Sequence, residues 1–321
     1  MAVARASPSA TEAEALLSPA GGTRHMAAMS APQVFDRPLV RLRLARALAG
    51  GFADFLLARA VEDLEERLGA VLRQFPLALD VGTPTGVAAE ALRASGRADA
   101  VVRLAPVRGA GADVVGDEEA LPLADGRFDL AVSLLALHAV NDLPGALVQI
   151  RRTLKADGLF VGCLLGGATL TELRQAFTQA EAEIEGGASP RVAPFADLRD
   201  LGFLMQRAGF ALPVTDVETM TVRYGDPFGL MRDLRGMGLS NSLTDRRRTP
   251  LKRATLLRAA QIYGERFADP DGRVRATFEM VWLSGWAPHE SQQKPLRPGS
   301  AKTRLAEALG VREHRAGDDQ P

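Results

Sequence analysis

Cysteine is nearly missing: Cys163 is the one such residue in 321. A disulfide within the chain is therefore impossible, and a zinc site built on cysteine pairs is excluded. The usage fits a reducing, cytosolic compartment. An excess of charge of either sign is also missing, because Lys+Arg and Asp+Glu are both 39. A nucleic-acid binder relying on phosphate contacts carries a basic surplus, so that class is demoted. The local run Arg246-Arg247-Arg248 reads as a solvated loop before a helix, or as a contact for an acidic partner. No apolar run approaches the ~20 residues of a membrane span. The N-terminus lacks the apolar core of a secretory signal. It has the Arg and Ser of a transit peptide, but Glu12 and Glu14 argue against one.

What is present is a core-forming composition, 46% hydrophobic. At ~150 residues per domain, the length allows one large domain or two small ones. Residues 1–34 are rich in Ala, Ser, Pro and Gly, have no hydrophobic period and read as disordered. Met26 and Met29 leave open a start further downstream. Residues 291–321 read as a polar tail. Between them a fold domain spans 35–290, with a cofactor half (76–165) and a substrate-side half (166–290).

Apolar residues from Phe52 to Leu72 recur at helical spacing, and the helix is expected to run to Phe75 and stop at Pro76. Leu77–Gly82 reads as a buried parallel strand. A helix over 87–94, strands over 100–104 and 113–115, and a strong strand over 128–134 follow. Asn141 or Asp142 caps a helix over 143–154, and strand five covers 159–165. Thr169-Leu170-Thr171-Glu172 has capping-box spacing for a helix reaching Glu185. A helix ending near Ala208 and an extended stretch over 214–224 come next. Asp226-Pro227 and Thr249-Pro250 open two further helices, and 274–286 forms a late strand. This alternation predicts a doubly wound parallel sheet. Trp282 and Trp286 share a strand face as packing residues, and Cys163 is a small buried core residue.

Ligands of open α/β sheets sit beyond the carboxyl ends of the strands. The first strand ends Asp80-Val81-Gly82-Thr83-Pro84-Thr85-Gly86. Gly82 and Gly86 let a ligand approach the backbone, and Asp80 could accept from an ammonium group. The same spacing also serves an ordinary strand-to-helix turn. The second strand ends Leu104-Ala105-Pro106, without the acid that holds a ribose. The seven-residue link Pro106–Ala112 leaves little room for a crossover helix. Asp117 and Glu118 could accept from an adenine amino group, or belong to a solvated loop. His138 could hold a substrate or move a proton near neutrality; a packed core histidine is the alternative.

Several segments together carry a resemblance. They are Phe35-Asp36-Arg37, Phe75–Asp80, Asp117-Glu118-Glu119, Leu137-His138 and Val140-Asn141-Asp142-Leu143-Pro144. In the second half they are Glu185-Gly186-Gly187, Ser189-Pro190, Asp233–Gly238, Ser240-Asn241, Gly285-Trp286 and His289–Gln292. From about Phe35 to Leu309 the chain resembles the methyltransferase-fold assembly factors of respiratory complex I, the fifth of that series, and their alphaproteobacterial relatives. The resemblance implies a class I S-adenosylmethionine-dependent methyltransferase fold, Rossmann-like, with inserted C-terminal helices. It implies S-adenosylmethionine as cofactor, held by Asp80, Gly82, Gly86, Asp117 and Glu118. It also implies a protein substrate among complex I core subunits, either methylated or hydroxylated at arginine, and a cytoplasmic bacterial location. His138 is the catalytic candidate.

The chain departs from the family at four points around one pocket. Pro84 stands in the glycine turn, Ala105 replaces the ribose acid, Ala139 replaces a tryptophan, and Ala168 replaces an aspartate. Each lost charge-assisted hydrogen bond costs roughly 1.5–3 kcal/mol of cofactor affinity. The opposing expectation is thus a catalytically weakened protein acting by interaction alone.

Overall fold

Two apolar segments, Phe75–Val81 (β1) and Phe128–Leu134 (β4), lie side by side at the centre of the molecule, almost wholly buried. The computed structural model describes Leu17 and residues 33–293. The elements preceding the sheet are α1 (Arg37–Ala49) and α2 (Phe55–Gly69). After β1 come α3 (Val87–Ala94), β2 (Ala98–Ala105) and β3 (Val114–Val115). After β4 come α4 (Leu143–Thr153), β5 (Leu154–Leu165), α5 (Thr171–Glu185) and α6 (Leu198–Arg207). β6 (Ala211–Tyr224), α7 (Pro227–Gly236), α8 (Arg253–Phe267) and β7 (Val274–Trp286) complete the set.

The seven strands lie in the order β3-β2-β1-β4-β5-β7-β6. β1 to β5 are parallel, and β7 runs antiparallel between β5 and β6. This is the class I methyltransferase order. Parallel strands need both faces covered. Leu147, Ile150, Leu201 and Met205 of α4 and α6 cover one face. Leu57, Leu64, Leu68 and Leu92 of α2 and α3 cover the other. A third cluster, with Phe177, Leu234, Tyr263 and Phe278, joins α5, α7 and α8 to the far ends of β5 and β7.

Most expected elements form within a few residues of their expected bounds, and the link from β2 to β3 keeps only a 3-10 turn, Arg108–Ala110. Four expectations are corrected. The helix from Phe52 ends at Gly69 rather than at Phe75, and Pro76 sits in β1. Leu72 is exposed, which shows that the periodic run outlasts its helix. The Thr169–Glu172 capping box does not form. Thr169 Oγ1 instead bridges the backbone of Glu279, and Glu172 accepts from the Thr277 amide at 3.1 Å. The helix expected from Thr249-Pro250 starts at Arg253. Finally, α1 was not anticipated. Its signals are Asp36, whose carboxylate accepts from the Leu39 amide, and Pro38 in the first turn.

Apart from Leu17, the segment expected to be disordered lies almost wholly outside the described residues, as does most of the polar tail. Residues 1–288 and 289–321 form separate units. In the second, His289 Nδ1 and Ser291 Oγ are 2.7 Å apart. No helix among the described residues is long and apolar enough to cross a membrane.

Candidate functional site

Beyond the carboxyl end of β1 the backbone turns at Gly82, whose φ is +75°. Its amide donates to Leu104 O at 2.7 Å. Ser133 Oγ donates to Val81 O, and Thr83 Oγ1 accepts from the Leu134 amide. The turn is therefore tied to both neighbouring strands before any ligand is considered.

Asp80, fully buried, stands in register with Arg103 of β2. Arg103 Nε donates to Asp80 Oδ2 at 2.8 Å. The remaining guanidinium hydrogens go to the carbonyls of Thr83, Thr85, Ala110 and Gly111. One buried arginine thus holds the turns after β1 and β2 together from beneath. Burial pushes the Asp80 carboxyl up from its ordinary range, and the Arg103 charge opposes this. Asp80 Oδ1 has no hydrogen-bond partner. Arg103 was overlooked in the sequence, although a charge inside Ala100–Leu104 has to find a partner.

Asp117 and Glu118 meet a second arginine, also missed. Arg37, at the start of α1, donates to Asp117 Oδ1 at 2.7 Å, to Glu118 Oε2, and to Ala139 O at 3.0 Å. Arg41 adds a second bond to Asp117. Glu118 is 3% exposed and lies directly over the glycine turn. A Cβ on Gly82 would stand 2.7 Å from Glu118 Oε1 and 3.0 Å from the Ala136 Cβ. Gly86 opens α3, without a side-chain cap.

These arrangements decide whether the residues suit S-adenosylmethionine. The donor set required is a carboxylate for the ammonium, an acid for the ribose hydroxyls, and free space over the turn. Asp80 is fully buried, with Oδ2 taken by Arg103, and β2 ends at buried Ala105 with no carboxylate for a ribose. Glu118 fills the space above Gly82, and Asp117 is shared between two arginines. As arranged, the residues do not fit the cofactor.

The carboxyl ends of β4 and β5 differ. A cavity of about 230 Å³ lies there, walled by Leu170, Leu173, Phe195, Leu234 and Leu243 with His138 at its edge. A smaller pocket of about 20 Å³ links His138 to Pro84 and Leu135. The His138 ring packs edge-on to Phe195, with centroids 5.7 Å apart. Its Nδ1 is buried without a partner. Burial pushes the imidazole down to about 4, so it is neutral at pH 7. An imidazole that weak holds no proton near neutrality, but it can accept a hydrogen bond from a ligand. Arg191, also on the cavity wall, is neutralised by buried Glu181 through Nε at 2.8 Å. No carboxylate is among the lining residues.

The structure thus gathers the expected residues into two places. Asp80, Gly82, Gly86, Asp117 and Glu118 surround the β1 turn, whereas His138 faces the cavity. Cys163 is buried and its thiol is pushed up by burial, away from both. Arg246 and Arg247 pair with Asp36 and Glu185, as a loop contact.

Residues 79–162 match the family described as a methyltransferase domain. The arginine-hydroxylase NDUFAF5 of Danio rerio is 38% identical over 295 residues, covering 85% of this chain and 89% of its own. The protein of the same name from Homo sapiens is 40% identical, covering 85% and 83%. A malonyl-[acyl-carrier protein] O-methyltransferase of Gallionella capsiferriformans is 32% identical, covering 79% and 92%. With this likeness running along most of both chains, and with the class I strand order, the protein belongs to the NDUFAF5 family of methyltransferase-fold proteins.

Proposed function

We propose that this chain binds a segment of a partner protein during assembly of respiratory complex I and acts on one of its side chains. The cavity beside His138 receives the segment. The observation that carries this reading is the neutral, unpartnered imidazole at the edge of an apolar cavity. A buried acceptor without a partner is costly, and a donor on the segment would supply one. His138 then orients the segment, while Leu170, Leu173 and Phe195 exclude water from it. Arginine is the residue that the relatives' name gives, and hydroxylation the reaction; turning a C–H bond into C–OH takes two electrons from the side chain, so dioxygen with an external reductant, or a peroxide, has to be supplied to the cavity as co-reactant. A reducing compartment such as the bacterial cytoplasm is the location that the single cysteine supports.

S-adenosylmethionine takes no part in this reaction. Calorimetric titration of the purified protein with the cofactor is expected to show no binding up to about 1 mM. Micromolar binding would restore methyl transfer as the reaction. The assay for the reading itself is co-expression with core complex I subunits, followed by peptide mass spectrometry. A subunit side chain gaining one oxygen, lost with His138→Ala, is the expected result. A folded protein that leaves every subunit unmodified would refute it.

A further inference from the structure

Behind the cavity, a groove of about 510 Å³ runs between α1 and α7. Arg43 and Arg46 enter it from α1, and Arg232 and Arg235 from α7. Asp233 is the one carboxylate among the lining residues. Within the described residues, none of the four guanidinium groups has an ion-pair partner, in contrast to Arg37, Arg103 and Arg191. Arg43 Nη1 is buried and makes no hydrogen bond. Burial, with Arg246 and Arg46 nearby, pushes the Arg43 guanidinium down from its ordinary range, and Asp36 opposes this. A concentration of cations without ion pairs among the described residues, in a chain of zero net charge, is a local feature and not a consequence of composition.

The groove floor is built from small residues, Gly50, Gly51, Ala53 and Gly236. Gly236 lies against Ala53: a Cβ there would be 3.0 Å from the Ala53 Cβ. That missing side chain serves the close packing of α7 on the segment after α1, whereas a Cβ on Gly51 would meet no described atom within 4 Å, so a ligand backbone can settle close to the floor there while its side chains reach the arginines. Arg235 and Ser240 line both the groove and the cavity, so the two are adjacent.

We propose that the groove is a docking channel for an acidic polypeptide segment, the part of the partner that flanks the residue presented to the cavity. This extends the reading under Proposed function and rests on it for the identity of the partner as a protein. Guanidinium groups pair with carboxylates in bidentate geometry, which gives both register and affinity. A nucleic acid is a poorer match, since no aromatic side chain lines the groove to stack a base. A bilayer surface is flat, and a concave channel with a glycine floor offers it few contacts.

The test is fluorescence anisotropy of the full chain with labelled octaglutamate, octaserine and octalysine peptides. Phosphatidylserine vesicles and a single-stranded oligonucleotide serve as competitors. Octaglutamate is expected to bind, and to weaken about tenfold between low salt and about 0.3 M salt. Arg43→Gln with Arg232→Gln should weaken it about tenfold further. Arg46→Gln with Arg235→Gln, both exposed, provides a second pair should the first fold poorly. Arg127→Gln with Arg207→Gln removes the same charge elsewhere and should leave binding within about twofold. Octaglutamate binding no better than octaserine overturns the proposal. So does equal loss in the control pair, or tighter binding of vesicles or oligonucleotide. The peptide assay needs no modification reaction. Peptide binding without any subunit modification would therefore defeat the earlier reading alone.

Discussion

The two halves of the sheet's carboxyl edge have been put to opposite uses. Beyond β1 and β2, each buried carboxylate is answered by an arginine of the chain. Arg103 answers Asp80, and Arg37 answers Asp117 and Glu118. Beyond β4 and β5, an imidazole nitrogen stays unpartnered beside open space, and four arginines nearby lack counter-ions among the described residues. A fold fixes where a ligand site can be, but internal ion pairs can close one such site while another stays open. The closed edge is stability; the open edge is the place to look for chemistry.

The largest effect expected is at the closed edge. Arg103→Leu leaves Asp80 buried and uncompensated and frees four loop carbonyls. Urea denaturation should show a loss of about 3–5 kcal/mol. The double variant Asp80→Leu with Arg103→Leu should recover much of it. A single variant as stable as wild type would mean that the edge is not held by this pair.

Gly238→Ala tests what supports the open edge. Its φ is +76°, and a Cβ there would stand 3.1 Å from the Leu44 Cα. A loss of about 1–3 kcal/mol is expected, read as a lower Tm. Cavity and groove ligands should weaken with it, because the α1–α7 contact forms the groove wall.

The third effect is a pH dependence. His138 has its folded value depressed to about 4, against 6.5 for an exposed histidine. The unfolded chain therefore takes up a proton first as pH falls. Stability is fully present above about 6.5 and is lost as pH drops toward 4. Between pH 7.5 and 5.5 this group should account for about 1 kcal/mol. His138→Gln should flatten that part of the profile; an unchanged slope would place the imidazole in water.

The smallest effect calibrates the others. Arg152 pairs with Asp125 on the surface, both about half exposed. Arg152→Gln should change stability by less than about 0.5 kcal/mol. A larger loss would weaken the contrast drawn between buried and exposed pairs.

Much of the fold was readable because both periodicities are strong. The runs Leu77–Val81 and Phe128–Leu134 are continuous and apolar, as strands buried on two faces must be. The truncated crossover followed from seven residues rich in glycine and proline. The candidate site was readable only in outline. Asp80, Asp117 and Glu118 were correctly placed at the strand ends, but their partners were not, because Arg37 lies 80 residues from Asp117 along the chain and Arg103 lies 23 from Asp80. Local spacing says where a carboxylate stands, not which cation reaches it. The capping box failed for a similar reason: Thr169 and Glu172 found longer-range partners on β7.

The sequence by itself determined the order of the strands, of the helices after the first, and the glycine turn. Tertiary structure decided what the recurring motifs are for. Asn141 clasps the backbone of Phe35 through Oδ1 and Nδ2, at 2.8 and 3.1 Å. Asn241 donates to Pro190 O at 2.7 Å. Arg235-Gly236-Met237-Gly238 lets α7 end against α1. These motifs lie 50 to 200 residues apart, and each serves another. Hydrogen bonds and close approaches of that range exist only once the sheet has brought the strand ends to one edge.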